Sequence, residues 1–230
     1  MKILTLSCVL IAIFVLSGAH ANENNAKPEF VVTYVVYPGI EPYIDLISSV
    51  YQELGINTSI VATPNLRGLV LLNEGQTDAD VIRLKPTILN YPNTLLVEPA
   101  LVVGKLVLVC QRPLLCDSSV LQDSEQAVLI ADNIRPLLRE FAPLSRFISV
   151  STGAMILDML KANRANYGIF LVDQKTPGSP KLQVSILSEV PLHHVLNKKH
   201  VEMLPSIQHI LSQKLAAQSS PTDSPAISAP

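Results

Sequence analysis

Two rhythms of apolar and polar positions run along this chain. Phe30–Tyr37 (FVVTYVVY) is a β-branched and aromatic run with few polar breaks, which predicts a strand buried on both faces. Pro38-Gly39 ends it. From Pro42 to Leu54 the spacing becomes helical, with Ile44, Ile47, Val50, Tyr51 and Leu54 on one stripe and Gly55 at the C-cap position. Asn57–Val61 predicts a second strand. Thr63-Pro64 reads as an N-cap followed by Pro at the first helical position, and the helix carries Leu66, Leu69, Val70 and Leu72 to Gly75. Asp78–Leu84 (DADVIRL) is a third strand. Strand, helix, strand, helix, strand in so short a span predicts parallel strands joined by crossovers.

The pattern then recurs. Lys105–Gln111 and Gln126–Ala131 are predicted strands, Ile134–Phe141 a short helix, and Phe147–Val150 a strand. Ser151 or Thr152 caps a helix bearing Met155, Ile156, Met159 and Leu160, and Tyr167–Val172 (YGIFLV) is another strand. A last helix is expected over Lys199–Ala217, with Val201, Leu204, Ile207, Leu211 and Leu215 aligned and Pro205 kinking or restarting it. Residues 218–230 are Ser, Pro, Thr and Ala rich, which predicts a disordered tail.

Residues 1–21 have their own logic. Lys2 precedes an apolar run from Ile3 to Leu16, and Ser17-Gly18-Ala19-His20-Ala21 places small residues at −3 and −1. That layout predicts a cleaved signal peptide, and the run is shorter than the ~20 residues a spanning helix needs. A soluble, exported, periplasmic product is expected. Export makes Cys110 and Cys116, the two cysteines outside the leader, a disulfide candidate.

Composition narrows the chemistry. Of 230 residues, 48% are hydrophobic and 16% charged, so there is ample material for a core. Lys plus Arg is 17 against 19 acids, with no Trp, so neither phosphate-backbone binding nor base stacking has support and no nucleic-acid partner is expected. No nucleophile elbow, metalloprotease motif or P-loop occurs. His193, His194, His200 and His209 match no established zinc spacing. No cofactor or metal is expected, and a non-enzymatic monomer is the expectation.

The stretch YPGIEPY, then ELGI, then TPNLRGLVLLNEGQTDADVIRL resembles the family 3 extracellular solute-binding proteins, the amino-acid-type periplasmic binding proteins of ABC transporters. Leu72, Gly75 and Asp78 match that family's L-x-x-G-x-x-D pattern. Met159–Phe170 is a weaker copy, with Ala165 and Tyr167 in place of Gly and Asp, and PLHHVLNKKHVEML resembles the return to the first lobe. The resemblance covers about residues 30 to 216. It implies an α/β, two-lobed, type II fold, each lobe a small, mostly parallel sheet flanked by helices. It further implies lobe 1 from 28–103 plus 188–217, lobe 2 from 104–187, and crossovers near Val102–Gly104 and Leu187–Pro191. The halves are expected to be two rigid bodies with a wet groove between them and no single continuous sheet. The implied function is capture of a small polar, anionic ligand by lobe closure, with an ABC permease or a membrane sensor as partner. The alternatives are a ligand-free interaction module for a membrane signalling protein, or a dehydratase-type lyase on the same fold. Two departures bear on the ligand. LKPTILNYPN after the third strand carries no Arg, and Ala131-Asp132-Asn133 stands where amino-acid binders have a Gly-Thr-Thr turn.

Ligands of such folds lie outside the carboxyl ends of strands, near helix N-termini. On that rule the candidate ligand-binding residues are Tyr37, Tyr43, Arg67, Arg83, Asp132, Asn133, Ser151 and Thr152. The two arginines suit an acidic group. Each has a plainer role open to it: a solvated helix charge for Arg67, an ion pair with Asp78, Asp80 or Glu98 for Arg83, core or rim packing for Tyr37, and capping for Thr152.

Overall fold

A computed structural model describes residues 29–37, 39–172 and 179–219. The expected leader and all of the expected tail beyond Ser219 lie outside them.

In the first half β1 (Phe30–Tyr34), α1 (Glu41–Glu53), β2 (Thr58–Ala62), α2 (Asn65–Asn73), β3 (Ala79–Leu84) and the single-turn α3 (Lys85–Ile88) follow in order. β1 pairs in parallel with both β2 and β3, as the crossover pattern requires. The second half holds β5 (Ala127–Ala131), a 3-10 turn over 132–141, β6 (Arg146–Val150), α4 (Gly153–Lys161) and β7 (Tyr167–Val172). Here β5 pairs in parallel with β6 and β7. Between the halves run two long strands, β4 (Thr94–Gln111) going out and β8 (Leu182–Asn197) coming back. They pair antiparallel, with Val102, Val103 and Gly104 opposite Leu192, Pro191 and Val190.

This corrects the expectation of two separate sheets. The strand order β2-β1-β3-β8-β4-β7-β5-β6 is one hydrogen-bonded ladder of eight. The crossovers are themselves strands, and each belongs to both halves. The β4–β8 register shifts twice, between Leu106 and Val107 and, over a longer gap, between Val97 and Val102. Pro99, which has no N–H to give the ladder, lies in that gap. The buried apolar residues form one main cluster, including Val32, Ile47 and Tyr51 in the first half, Leu106 and Val190 on the long strands, and Ile130, Ile156 and Ile169 in the second.

Element ends depart from the sequence reading in several places: β1 stops at Tyr34, short of the expected Tyr37, and β4 starts at Thr94, well before Lys105. Pro64 itself occupies the cap of α2, and Thr63 makes no capping bond. The final helix is two pieces, a 3-10 turn over 198–203 and α5 (Leu204–Ser219). Pro205 sits at the second residue of α5, where a missing N–H is harmless. That helix takes in Gln218 and Ser219, so it reaches two residues into the expected tail. The second-half segment 132–141 is 3-10 with Pro136 inside it.

The family-like Leu72-Gly75-Asp78 pattern is a fastening. Gly75 adopts φ +72° and its N–H closes the turn on Leu72. Asp78 accepts the Val31 N–H at 2.7 Å, Lys199 Nζ at 2.8 Å and His200 Nε2 at 2.7 Å. Burial would raise its carboxyl pKa, but those hydrogen bonds outweigh it and hold the group below the usual range. Asn197 adds a side-chain bond to Leu72 O. The pattern thus locks β3 to β1 and to the start of the last helical segment.

Cys110 and Cys116 form the expected disulfide.

Candidate functional site

α3 leaves the carboxyl end of β3, and the 132–141 turn leaves the carboxyl end of β5. The two approach within 8 Å of Cα separation. The strand ends of the two halves therefore face one another, and the candidate residues fall on both sides of that junction.

On the first-half side Arg83 is only 4% exposed and Asp80 is fully buried. Arg83 Nη2 donates to Asp80 Oδ2 at 2.6 Å, and the Thr33 hydroxyl donates to the same oxygen at 2.7 Å. Residues three apart on a regular strand point to opposite faces. The β3–β8 register shifts between Asp80 and Arg83, and that irregularity turns Arg83 onto the face of Asp80. α2 covers the pair with Gly68. A Cβ there would lie 2.7 Å from Arg83 Nη2 and 2.7 Å from Thr63 Oγ1, so the helix can lie this close only without a side chain. Thr63 Oγ1 and Asp80 Oδ1 are buried and find no hydrogen-bond partner among the described residues. Opposite Arg83 in the ladder stands His193, whose Nε2 is 3.3 Å from Glu98 Oε2 beside the register break.

Arg67 is exposed on the first turn of α2, and Lys85 is exposed at the start of α3. Neither makes an ion pair among the described residues. Tyr37 is half-buried and packs on the main core. Tyr43 is buried on α1, where it lines a recess of about 310 Å³ with Pro42, Leu46, Leu101 and Val102. In the second half Asp132 opens the 3-10 turn and is exposed, as are Ser151 and Thr152. Thr152 Oγ1 accepts the Met155 N–H at 3.2 Å and caps α4. Arg135 Nη2 donates to Ser149 Oγ at 3.1 Å. The Asn133 side chain lies outside the description.

The structure thus brings Arg67, Arg83, Asp132, Ser151 and Thr152 to facing ends of the halves, and sets Tyr43 aside toward the long strands. A second recess, about 410 Å³, lies away from this junction by Asn73, Asn93 and Lys199. Of the partners that sequence reasoning offered Arg83, Asp80 is the one it meets; Thr33 and Gly68 were missed, and Thr63 was read only as a cap. The two opposite charges three apart in DADVIRL were the available signal. Among the described residues no group of three or more His, Cys, Asp or Glu is placed to hold a metal ion, and no helix is long and apolar enough to cross a membrane.

The adjacent histidines separate as strand neighbours must. His193 faces Glu98, while His194 enters the core on the other face. Tyr51 donates its hydroxyl to His194 Nε2 at 2.8 Å, and His194 Nδ1 donates to Val81 O at 3.3 Å. Burial pushes His194 down to about 4 and raises the Tyr51 phenol, which the Asp78 charge raises further. Both groups are neutral structural members of the core.

Two α/β halves joined by paired long strands, with strand ends opposed, define a two-lobed periplasmic-binding-protein fold. Known structures agree. The chain is similar to the GluR0 ligand-binding core in complex with L-glutamate (TM-score 0.67, 14% identity, 84% of this chain and 95% of that one). It is also similar to an amino acid ABC transporter substrate-binding protein from Streptococcus pneumoniae bound to L-arginine (TM-score 0.59, 14% identity, 84% and 91%). A third likeness is the Bordetella pertussis BvgS VFT2 domain (TM-score 0.61, 14% identity, 83% and 91%). No protein-family model and no curated protein matches the sequence.

Proposed function

We propose that the protein is an exported binding protein that holds a small polar, anionic ligand between its lobes and presents it to a membrane transporter or sensor. The observation that carries this is the opposition of α3 and the 132–141 turn across two paired strands. The strand ends and the N-termini of α2 and α4 form, in this reading, the two walls of one groove, where an anion is favoured. In this reading residues 28–103 with 188–217 form one lobe and 104–187 the other, and they close about the register break near residues 97–102. Arg67, Asp132, Asn133, Ser151 and Thr152 contact the ligand, Arg83 lies beneath it, and Tyr37 and Tyr43 border the hinge side. The likeness to amino-acid-binding structures supports a binding role, and the Cys110–Cys116 bridge supports an oxidising, periplasmic destination. No chemical step is part of this reading.

The mature chain is to be screened by thermal shift against amino acids, organic acids and phosphate esters. A ligand at a hundredfold excess over its Kd stabilises by ~2.7 kcal/mol, and Arg67→Ala should remove the shift. No shift from any compound overturns the proposal.

One observation favours a ligand-free interaction module instead: Asp80 neutralises Arg83 inside the protein at 2.6 Å. For that module the ligand screen is blank, yet Arg67→Ala or Leu66→Asp impairs signalling in cells.

A further inference from the structure

Resting on the anion-binding part of that reading and departing from it in the body of the ligand, we propose that the ligand is a carboxylate carried on an apolar body, rather than a wholly polar ligand or an amino acid with a charged side chain. Two sets of side chains at the strand-end side of the fold point to this chemistry. The first is charged. Arg67 and Lys85 come from the first lobe and Arg135 from the second, all exposed. Asp132 stands against them at the junction, and Glu41 lies at the start of α1, on the hinge side. Arg83 adds no net charge, because Asp80 is 2.6 Å away and accepts from Thr33 as well. One carboxylate is thus attracted. A second carboxylate, as in glutamate, finds the buried arginine already paired, and a cationic side chain, as in arginine, meets cations on both walls.

The second set is apolar. Val36 beyond β1, Leu66 in the first turn of α2 and Leu89 beyond α3 are 70%, 70% and 72% exposed. Met155 in the first turn of α4 faces the same end from the second lobe and is 46% exposed. Single exposed apolar residues are ordinary. Among the described residues twelve large hydrophobics are exposed, and these four fall at the carboxyl ends of strands from both lobes, in the same segments as the cations Arg67 and Lys85. Leu66 and Arg67 are sequence neighbours, and Leu89, just beyond α3, is four residues from Lys85 at its start. An amphipathic anion satisfies both sets at once, its head on the cations and its body between Leu66, Leu89 and Met155.

Binding of octanoate, 3-phenylpropionate, octanamide, L-glutamate and L-arginine to the mature chain is to be measured by titration calorimetry. The two apolar carboxylates should bind at least tenfold tighter than the two amino acids and tenfold tighter than uncharged octanamide. Leu66→Ser and Leu89→Ser alter exposed positions, so the ligand-free melting temperature should hold while octanoate affinity falls about tenfold. Tighter binding of glutamate or arginine, or equal binding of octanamide and octanoate, overturns this inference and leaves the binding-protein reading standing. No binding by these five or by the broader screen overturns both.

Discussion

Replacing Arg83 by Met tests how the floor of the groove is held. The side chain is 4% exposed, its partner Asp80 is fully buried, and they meet at 2.6 Å. At an effective dielectric near 20 the bare attraction at this separation is about 6 kcal/mol. Desolvation of both charges offsets much of that, so the pair as a whole adds little over a well-packed apolar pair. Removing one partner is different. Asp80 would lose the guanidinium and retain only the Thr33 hydroxyl, and breaking one side of a buried pair costs roughly 3–5 kcal/mol. For a chain of this size that is a fall in melting temperature of about 6–20 °C. Urea unfolding of Arg83→Met, Asp80→Asn and the double variant gives the coupling. Each single change should be costly, and the double should recover a kilocalorie or more relative to their sum. A cost below about 1 kcal/mol for Arg83→Met would refute the view that Arg83 is held for Asp80. Full stability with lost ligand binding would instead make it a ligand contact.

Four shorter tests address other parts of the fold. His194 is held neutral, its pKa lowered to about 4. The unfolded chain takes up the proton below ~6.5, so stability from this site is present above that pH and is lost as pH falls toward 4, by about 3 kcal/mol in all. His194→Phe should flatten that limb in pH-dependent unfolding. Asp78 has a lowered pKa, so its contribution is present above the ordinary carboxylate range and disappears as acid protonates it; Asp78→Asn should show a shallower loss of stability below pH ~4 than the native chain. Reducing Cys110–Cys116, or changing both cysteines to Ser, should cost roughly 2 kcal/mol by loop-closure entropy, read as a lower urea midpoint. Gly168→Ala would place a Cβ 2.2 Å from Ile156 Cγ2, and the forced shift of α4 from β7 should cost about 1–3 kcal/mol by the same assay.

The pattern of the chain made the regular elements legible and hid the irregular ones. β7 was readable to the residue because YGIFLV is an unbroken apolar run between polar stretches of sequence. α1 and α4 were readable from their stripes. The first eleven residues of β4 were not, because Glu98, Pro99 and Gly104 interrupt the run; it survives as a strand through pairing with β8, a contact distant in sequence. The 3-10 form of 132–141 was also hidden, since Pro136 and the buried Ile134, Leu137 and Leu138 fit a short α-helix equally well. At the site, Arg67, Asp132, Ser151 and Thr152 could be placed by the rule that binding groups follow strands. The Asp80–Arg83 pair was one of three pairings open to Arg83, but the choice among them and the part of Thr33 could not be read, because they depend on a register irregularity that no local periodicity announces.

Because β4 and β8 are common property of both lobes, the molecule has no natural place to be cut. A break at residue 104 would strip each fragment of part of the ladder and leave raw strand edges, inviting aggregation rather than independent refolding. The chain should therefore melt in one step, and any opening of the groove must be a bend in two continuous ribbons instead of a swing about a slack tether.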